Sequence, residues 1–343
     1  MSSVITSRIH CLYSAGFPYF CLLMIKRIFF LLALFFAAFP GCRNSVADSE
    51  KEIIIFHAGS LSVPFKQLAD EYRKLNPGVK ILMEPAGSLV CARKITELRK
   101  PCDIIASADY MVIDELIIPE FASWSIRFAT NEIVIAYREE SRYSSDIDSS
   151  NWIDILLRDD VVYSRSDPDS DPCGYRSVMT FKLAEKYYGI PGLEGKLTAK
   201  DRNFIRPKEV DLIALVEAGA ADYMFQYKSV ATQHNLKFIE LPDMINLGNP
   251  LMNEHYNSVS VDVAGKTPDS KMTIRGDYIN YSLAVLNDAP NSEGATDFVS
   301  FMLSPLGVEI FMRNGQDPVV PPETEQPALI PSGLKKYFGD GIQ

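Results

Sequence analysis

Four short segments between a predicted strand and a predicted helix carry the small, hydroxyl-bearing and acidic residues that suit an anion site. They are 58–60 (Ala-Gly-Ser), 86–88 (Ala-Gly-Ser), 171–174 (Asp-Pro-Cys-Gly) and 206–209 (Arg-Pro-Lys-Glu). The start of a helix leaves several backbone N–H groups unpaired and carries partial positive charge, so it can hold an anion without a cationic side chain. Glycine and serine also let an anion approach the backbone closely. Several such turns facing one cleft predict a site for a small dianion.

Each of these residues also has a purely structural explanation. Ser60 and Ser88 are good N-cap residues, and Asp171 ahead of Pro172 is a good helix start. Glu209 suits the first turn of a helix, where acidic side chains are favoured. The sequence therefore leaves helix capping open as an alternative for each turn taken alone.

An enzymatic alternative uses Ser60 as a nucleophile and His57 as its base. No G-x-S-x-G sequence surrounds Ser60, and His57 lies three residues upstream at the end of a predicted strand. Its side chain points away from the serine as readily as toward it. We therefore expect a binding protein rather than an enzyme.

The elements that must position these turns alternate between short apolar strands and amphipathic helices. Strands are expected at 53–56, 79–83, 104–108, 133–137, 161–164, 223–227 and 282–286. Helices are expected at about 65–75, 95–98, 173–188, 208–218, 295–302 and 306–313. This order predicts α/β architecture, with parallel strands and helices on both faces of the sheet. The segment 249–273 is expected to be an irregular or antiparallel excursion.

The order of strands further predicts two lobes. Strands near 128–137 and 280–287 would suit two crossings between the lobes, which together would act as a hinge. Lobe I would then be discontinuous, with residues 53–130 and 281–322, and lobe II would hold residues 131–280. Residues 323–343 are rich in proline and are expected to form a peripheral tail.

The amino-terminal segment has the pattern of a secretory signal peptide. Residues 1–41 contain no Asp or Glu, and an apolar run from Ile28 to Phe39 follows Lys26 and Arg27. That run is shorter than the ~20 apolar residues of a membrane span. Cys42 after a small residue predicts lipidation at a bacterial lipoprotein cleavage site, with residues 42–52 as a tether; simple secretion is the alternative.

Charge and cysteine content exclude other classes of protein. Residues 1–41 hold three of the 34 Lys and Arg residues, so their removal leaves a formal net charge of about −13. A nucleic-acid partner is excluded, and an anion site must rely on short-range donors. Cys91, Cys102 and Cys173 form neither a disulfide framework nor a metal-binding spacing. Cys91 and Cys102 could pair, or all three could be buried thiols.

Longer motifs then identify a family. The chain resembles the molybdate- and tungstate-binding proteins of ABC transporters, in particular the variant found in archaeal tungstate binders. The resemblance extends from about residue 53 to 322 and depends on HAGSL (57–61), PAGSL (85–89), DIIASADY (103–110), SDPDSDPCGYRS (166–177), IRPKEVDLIALVEAG (205–219), YKSVA (227–231) and GQDPVVPP (315–322). It implies a periplasmic binding protein type II fold, with the ligand cleft between two α/β lobes.

The resemblance also implies roles for individual residues. Ser60 and Ser88 would donate hydroxyl and backbone N–H groups to the oxyanion, and Asp171 and Glu209 would offer carboxylate oxygens to its metal centre. The remaining expected contacts are Gly59, the backbone near Cys173, and Tyr227, which would close the site. The implied partners are an ABC permease and, through Cys42, the membrane surface; the protein would be a monomer without a cofactor.

Two carboxylates beside a dianion would repel it unless they bind its central atom. Hexavalent tungsten or molybdenum can expand from four oxygen ligands to six, and hard carboxylate oxygens suit such an ion. Sulfate and phosphate cannot expand in this way, so the same carboxylates would reject them. Another small oxyanion, or a sensor module that shares the fold, stays as an alternative.

Overall fold

The apolar segments of the chain form thirteen strands within the residues described by the computed structural model, which are 52–200, 202–265 and 270–339. In chain order they are β1 (Glu52–Ala58), β2 (Lys80–Ala86), β3 (Ile104–Ser107), β4 (Ile126–Asn131), β5 (Ile133–Tyr137), β6 (Tyr163–Ser166), β7 (Ile205–Arg206), β8 (Tyr223–Tyr227), β9 (Lys237–Glu240), β10 (Ser260–Ala264), β11 (Lys271–Arg275), β12 (Ile279–Val285) and β13 (Asp317–Glu323).

The helices of the described residues lie between these strands. They are α1 (Ser62–Leu75), α2 (Ser88–Thr96), α3 (Tyr110–Leu116), α4 (Trp152–Leu156), α5 (Pro172–Tyr188), α6 (Leu193–Ala199), α7 (Asp211–Glu217), α8 (Lys228–Gln233), α9 (Asp243–Asn246), α10 (Asn253–Tyr256), α11 (Ser292–Met302) and α12 (Pro305–Arg313). Short 3₁₀ turns occupy Gly59–Leu61, Arg202–Phe204, Pro250–Met252, Pro327–Leu329 and Lys335–Tyr337.

A six-stranded sheet is the centre of the first lobe. Its strand order is β13-β4-β12-β3-β1-β2. Strand β1 runs parallel to β2 and β3, whereas β12 runs antiparallel to β3 and β4. Helix α1 packs on this sheet because Phe65, Leu68 and Tyr72 recur on one helical face and are all buried. We refer to residues 52–131 and 279–339 as lobe I.

A five-stranded sheet is the centre of the second lobe, and its order is β7-β6-β8-β5-β9. Strand β6 is parallel to β7 and β8, whereas β5 is antiparallel to β8 and β9. Helix α5 runs through this lobe with most of its side chains buried, and it ends at Gly189, whose φ of +63° is the left-handed conformation of a helix C-cap. We refer to residues 132–278 as lobe II.

The chain passes between the lobes where β4 leads directly into β5, and again at residues 276–278, between β11 and β12. Asn131 stands at the first passage, and its side-chain amide donates to Ser229 Oγ at 2.7 Å and to Tyr281 Oη at 3.1 Å. These bonds tie both passages to the start of α8. The lobe boundaries at 130, 131, 280 and 281 stay a prediction from the sequence.

The segment 249–273 forms an antiparallel excursion, as the sequence pattern suggested, whereas the carboxyl-terminal segment differs from the prediction. The excursion at 249–273 contains a 3₁₀ turn, α10 and an antiparallel ribbon of β10 and β11, in which Val261 faces Ile274. The segment expected to be a peripheral tail buries Ile330, Leu334 and Phe338. Apolar residues spaced four apart place these side chains on the core of lobe I despite the surrounding prolines.

Several sequence predictions lie outside the described residues, namely the signal peptide at 1–41, the lipidation of Cys42 and the tether at 42–52, apart from its last residue. Cys91, Cys102 and Cys173 are free, buried thiols, so the alternative of a bond between Cys91 and Cys102 is not realised. Among the described helices none is by itself long and apolar enough to cross a membrane; the bent pair α11 and α12 passes by length and composition only.

Candidate functional site

Two carboxylates from lobe II are the most unusual buried groups among the described residues. Asp171 is the N-cap residue of α5, and Glu209 lies in the turn that precedes α7. Both residues are fully buried, and none of their four carboxylate oxygens has a hydrogen-bond partner. Because an unpaired buried carboxylate is strongly unfavourable, this arrangement points to a missing partner of complementary chemistry.

Burial dominates the titration of this pair. It raises the pKa of Asp171 well above its ordinary value of 3.8, and the negative charge of Glu209 raises it further, against the opposing effect of the Ser166 hydroxyl. Burial also raises the pKa of Glu209, although the backbone and hydroxyl of nearby Ser60 act in the opposite direction. Without a ligand, the enclosed pair therefore favours protonation.

Lobe I meets the pair through two glycines. A methyl group added at Gly59 would lie 2.9 Å from Oε1 of Glu209. One added at Gly87 would lie 2.2 Å from the carbonyl oxygen of Ser170 and 3.1 Å from Cβ of Asp171. Only glycine lets the two lobes approach this closely at these positions.

The two predicted serines lie beside these glycines, and their hydroxyl groups do not cap helices. Ser60 occupies the 3₁₀ turn before α1, and its Oγ accepts a hydrogen bond from Tyr281 Oη at 2.9 Å. Ser88 is the first residue of α2, whose N-cap is Gly87, and its Oγ accepts from the Ala108 N–H at 3.0 Å. Each hydroxyl keeps its own proton available for a further acceptor.

Tyr227 and Cys173 complete the set of predicted contacts. Tyr227 ends β8, and its hydroxyl group is buried without a hydrogen-bond partner. Burial raises the pKa of Tyr227 well above 10.0, so the hydroxyl stays protonated and is a donor. The thiol of Cys173 is 3.8 Å from the carbonyl oxygen of Phe225, so this side chain contacts β8, whereas its backbone lies beside the Asp171 carboxylate.

Sequence reasoning missed two residues that hold the site together. Tyr281 on β12 packs against the ring of Tyr227 with centroids 5.9 Å apart and donates to Ser60. Gln226 donates from Nε2 to the carbonyl oxygen of Glu209 at 2.9 Å and accepts at Oε1 from the Tyr227 N–H at 2.8 Å. A sequence signal existed for Tyr281, because Asn-Tyr-Ser at 280–282 interrupts an otherwise apolar strand.

Predicted helix boundaries were less accurate near Glu209. We expected a helix from about residue 208, but α7 begins at Asp211 and its N-cap is Val210. Pro207 and Lys208 form a bend instead, and Glu209 and Val210 form a turn. This turn directs the Glu209 carboxylate toward Gly59 and the Asp171 side chain rather than along the axis of α7.

The contacts of His57 and Ser60 do not resemble those of a hydrolase. The His57 ring lies 2.8 Å from the carbonyl oxygen of Ala58 through Nδ1 and packs against Phe65. Burial lowers the pKa of His57 to about 4. Because Ser60 bonds to Tyr281 and His57 to its neighbour's backbone, the pair lacks the hydrogen bond between a nucleophile and its base.

The described residues also contain no group of three or more His, Cys, Asp or Glu side chains that could hold a metal ion. Asp171 and Glu209 alone offer too few ligands for a resident metal, which takes four or more. The pair therefore suits a guest that brings oxygen atoms of its own.

A buried polar site enclosed between two α/β lobes, with the chain passing twice between them, is the arrangement expected of a protein that binds a small solute. The chain belongs to the family described as bacterial extracellular solute-binding protein, whose model matches residues 53–316. Membership of this extracellular family indicates that the protein is exported.

Individual relatives agree with this assignment. The chain is 45% identical over 319 residues to an uncharacterized solute-binding protein of Petrotoga mobilis, covering 92% of this chain and 99% of the relative. It is 43% identical over 326 residues to the molybdate/tungstate-binding protein WtpA of Thermococcus kodakarensis, covering 85% of this chain and 90% of the relative.

Solved structures show the same fold. The periplasmic molybdate-binding protein of Azotobacter vinelandii matches with a TM-score of 0.57 at 17% identity, covering 77% of this chain and 98% of that one. At this identity the match concerns the fold alone, and it confirms the predicted periplasmic binding protein type II architecture.

Proposed function

We propose that the protein is the substrate-binding component of an ABC importer and captures tungstate or molybdate between its lobes. The observation that supports this most directly is the enclosure of four unpartnered carboxylate oxygens from Asp171 and Glu209 beside the free hydroxyl of Tyr227. The relative from Thermococcus kodakarensis is named as a binding protein for the same two oxyanions.

The charge of the site favours a metal-centred oxyanion. A dianion placed beside two carboxylates is repelled unless the carboxylate oxygens bind its central atom. Tungsten and molybdenum in their hexavalent state accept hard oxygen ligands, so Asp171 and Glu209 would complete a coordination shell. Sulfate has no proton to donate and would leave both carboxylates buried and unpaired, and hydrogen phosphate could donate to only one of them, which makes both anions poor competitors.

The remaining contacts would bind the oxygen atoms of the guest. Ser60, Ser88 and Tyr227 supply hydroxyl groups, and the small residue Gly59 leaves room next to the backbone. The backbone near Cys173, at the start of α5, adds the partial positive charge of a long helix. The site thus holds an anion inside an acidic protein by short-range donors.

Transport follows from closure of the lobes. A ligand that binds both lobes favours the closed form, and the closed form would then dock on the membrane permease. In this proposal the protein acts as a monomer without a cofactor or catalytic activity. A lipid on Cys42 anchors it to the periplasmic or cell-surface face of the membrane. Tungstate and molybdate are the cargo.

A thermal-shift panel of tungstate, molybdate, sulfate and phosphate tests the proposal. A ligand that binds only the folded protein raises the melting temperature by mass action. At a ligand concentration of 100 times Kd, the free energy of unfolding increases by about 2.7 kcal/mol. We expect a large shift with tungstate or molybdate and none with sulfate or phosphate. A shift with sulfate or phosphate that equals the tungstate shift would contradict the proposal.

A further inference from the structure

A buried ion pair links the two lobes outside the proposed anion site. Asp109 follows β3 in lobe I, and Arg176 lies on α5 in lobe II. Arg176 Nη2 donates to Asp109 Oδ2 at 2.6 Å, and both side chains are fully buried. The hydroxyl of Tyr175 donates to the same carboxylate oxygen at 2.7 Å. Charge-assisted bonds of this length are strong, and this one exists only while the lobes are together.

The same arginine also contacts the second passage between the lobes. Its Nη1 donates to the carbonyl oxygen of Asp277, and Tyr110 in lobe I donates to the Asp277 carboxylate. Asp277 lies between β11 and β12. One guanidinium group from lobe II therefore joins lobe I and the segment on which the lobes would turn.

A second arginine makes a similar connection at the half-exposed rim of the interface. Arg93 on α2 in lobe I donates to the carbonyl oxygens of Asp169 at 2.9 Å and Ala264 at 3.0 Å, both in lobe II. The Ala264 N–H in turn donates to Asp169 Oδ1 at 2.7 Å. Arg93 thus ties lobe I to both the loop that leads to Asp171 and the end of the β10–β11 ribbon.

Within the described residues, the hydrogen bonds and ion pairs of Arg93 and Arg176 do not involve the carboxylate pair or Tyr227, although Tyr227 lies near enough to interact with the charge of Arg176. Their bonds are lost when the lobes separate, and water then solvates the released charges. Such contacts change the balance between closed and open forms equally for every ligand, because they do not touch the ligand.

We propose that Arg176 with Asp109, together with Arg93, forms a closure lock that sets how slowly the bound anion is released, while the choice of anion rests with Asp171 and Glu209. This inference rests on the proposed function, in which the anion is bound between closed lobes. Asp109, Arg176 and Arg93 are positioning residues, since they act through the lobes rather than on the ligand.

Asp109→Asn is the sharpest test, because asparagine keeps the hydrogen bond that Oδ1 accepts from the Met111 N–H and caps α3 as well as aspartate does. It removes the negative charge opposite Arg176 and replaces Oδ2 with an NH2 group, which cannot accept the hydrogen bonds that Arg176 and Tyr175 donate there. We expect tungstate to dissociate about 10-fold faster or more, with a nearly unchanged association rate. The melting temperature of the ligand-free protein should stay close to that of the wild type.

Arg93→Ala should speed dissociation less, by about 3-fold, because the rim is partly exposed to water. Arg73→Ala is the matched control, since Arg73 bonds to Asp70 and to the carbonyl oxygen of Ile81, all within lobe I. The control should leave the dissociation rate unchanged. The rates are measured by chasing bound radiolabelled tungstate with an excess of unlabelled tungstate.

Three outcomes would overturn the lock. If Asp109→Asn lowers the melting temperatures of the ligand-free and ligand-bound protein equally, the ion pair stabilises the fold rather than closure of the lobes. If the dissociation rate is unchanged, the ion pair has no role in release. A variant that alters the ratio of tungstate to molybdate affinity would place it in ligand selection. If the wild type binds sulfate instead of tungstate, the proposed function fails, whereas faster sulfate release from Asp109→Asn would still support the lock.

Discussion

In the proposed function, Asp171 and Glu209 would contribute to binding and to stability with opposite sign. Each is buried without a hydrogen-bond partner among the described residues, so each charge is unfavourable there. A bound metal centre would reverse this effect by supplying the missing partner. Residues of this kind are retained for function at a cost in stability.

The first prediction concerns the isosteric variants Asp171→Asn and Glu209→Gln. Each should lose about 10- to 100-fold in tungstate affinity, because an amide oxygen is a weaker ligand than a carboxylate oxygen. Calorimetric titration measures the affinity. Without ligand, both variants should melt at the same temperature as the wild type or higher, since a buried charge has been removed.

Asp222→Asn provides a comparison for this prediction, because Asp222 is also a largely buried acidic residue of lobe II but has Arg142 at 2.8 Å. Its loss should lower the melting temperature and leave tungstate affinity unchanged. If Asp171→Asn and Asp222→Asn behave alike in both measurements, the special role of Asp171 is wrong.

At this scale the sequence predicted the acidic and hydroxyl groups but not their supports. Asp171 and Glu209 belong to long motifs at strand-to-helix turns, where chemistry and position can be read together. Gln226 and Tyr281 act through contacts between residues far apart in the chain, as with Tyr281 and Ser60. Such contacts depend on how the two sheets meet, and no local pattern encodes that geometry.

Among the elements, the turn between β2 and α2 sets how far the lobes can close. Gly87 in this turn faces the backbone of Ser170 in the loop that leads to α5. Backbone atoms cannot rotate away as a side chain can, so any added atom must separate the two lobes.

The second prediction is therefore that Gly87→Ala weakens tungstate binding by about 10-fold or more, because its Cβ would lie 2.2 Å from the Ser170 carbonyl oxygen. The melting temperature of the ligand-free protein should stay nearly unchanged. Small-angle scattering should show a ligand-bound form that is less compact than the wild type.

Gly195→Ala is the control for this variant. Gly195 lies inside α6, and a methyl group there meets nothing within 4 Å. Alanine in a helix interior should stabilise the protein by about 0.5 to 1 kcal/mol and leave binding unchanged. Equal tungstate affinities for the Gly87→Ala and wild-type proteins would refute the idea that the turn at Gly87 sets how far the lobes can close.

Alternation of strands and helices was predictable because buried strands read as short apolar runs and α1 and α5 show clear periodicity or end signals. The segment of the β10–β11 ribbon was predicted only as an irregular or antiparallel excursion, because its two strands are polar on one side and β10 packs against α5, which lies far away in the chain. The carboxyl-terminal segment was misjudged since its prolines outweighed the wide spacing of Ile330, Leu334 and Phe338.

For the whole molecule, closure should depend on pH. Burial raises the pKa of Asp171 and of Glu209 above their ordinary values of 3.8 and 4.5 in the closed form. A carboxyl group with a raised pKa in the closed form stabilises that form at pH values below its ordinary pKa. This stabilisation is lost as the pH rises through the raised pKa, so acid favours the closed form without ligand. Cys173 and Tyr227 beside the pair have raised pKa values and stay protonated.

The third prediction follows directly. The radius of gyration of the ligand-free protein should decrease as pH falls from neutral toward the ordinary carboxyl range, as measured by small-angle scattering. The double variant with Asp171→Asn and Glu209→Gln should lose this dependence. Persistence of the full pH response in the double variant would assign it to other groups.

The position of β4 has a consequence for how an exported chain matures. Its neighbours in the sheet are β12 and β13, which begin 148 and 186 residues after it. The five strands of the central sheet of lobe II all lie between residues 133 and 240 and can pair as soon as that stretch has left a secretion channel. When the polypeptide emerges with its amino end first, β4 must therefore keep an unpaired apolar edge until almost the entire chain is outside. Lobe I thus begins to form first but is completed after lobe II.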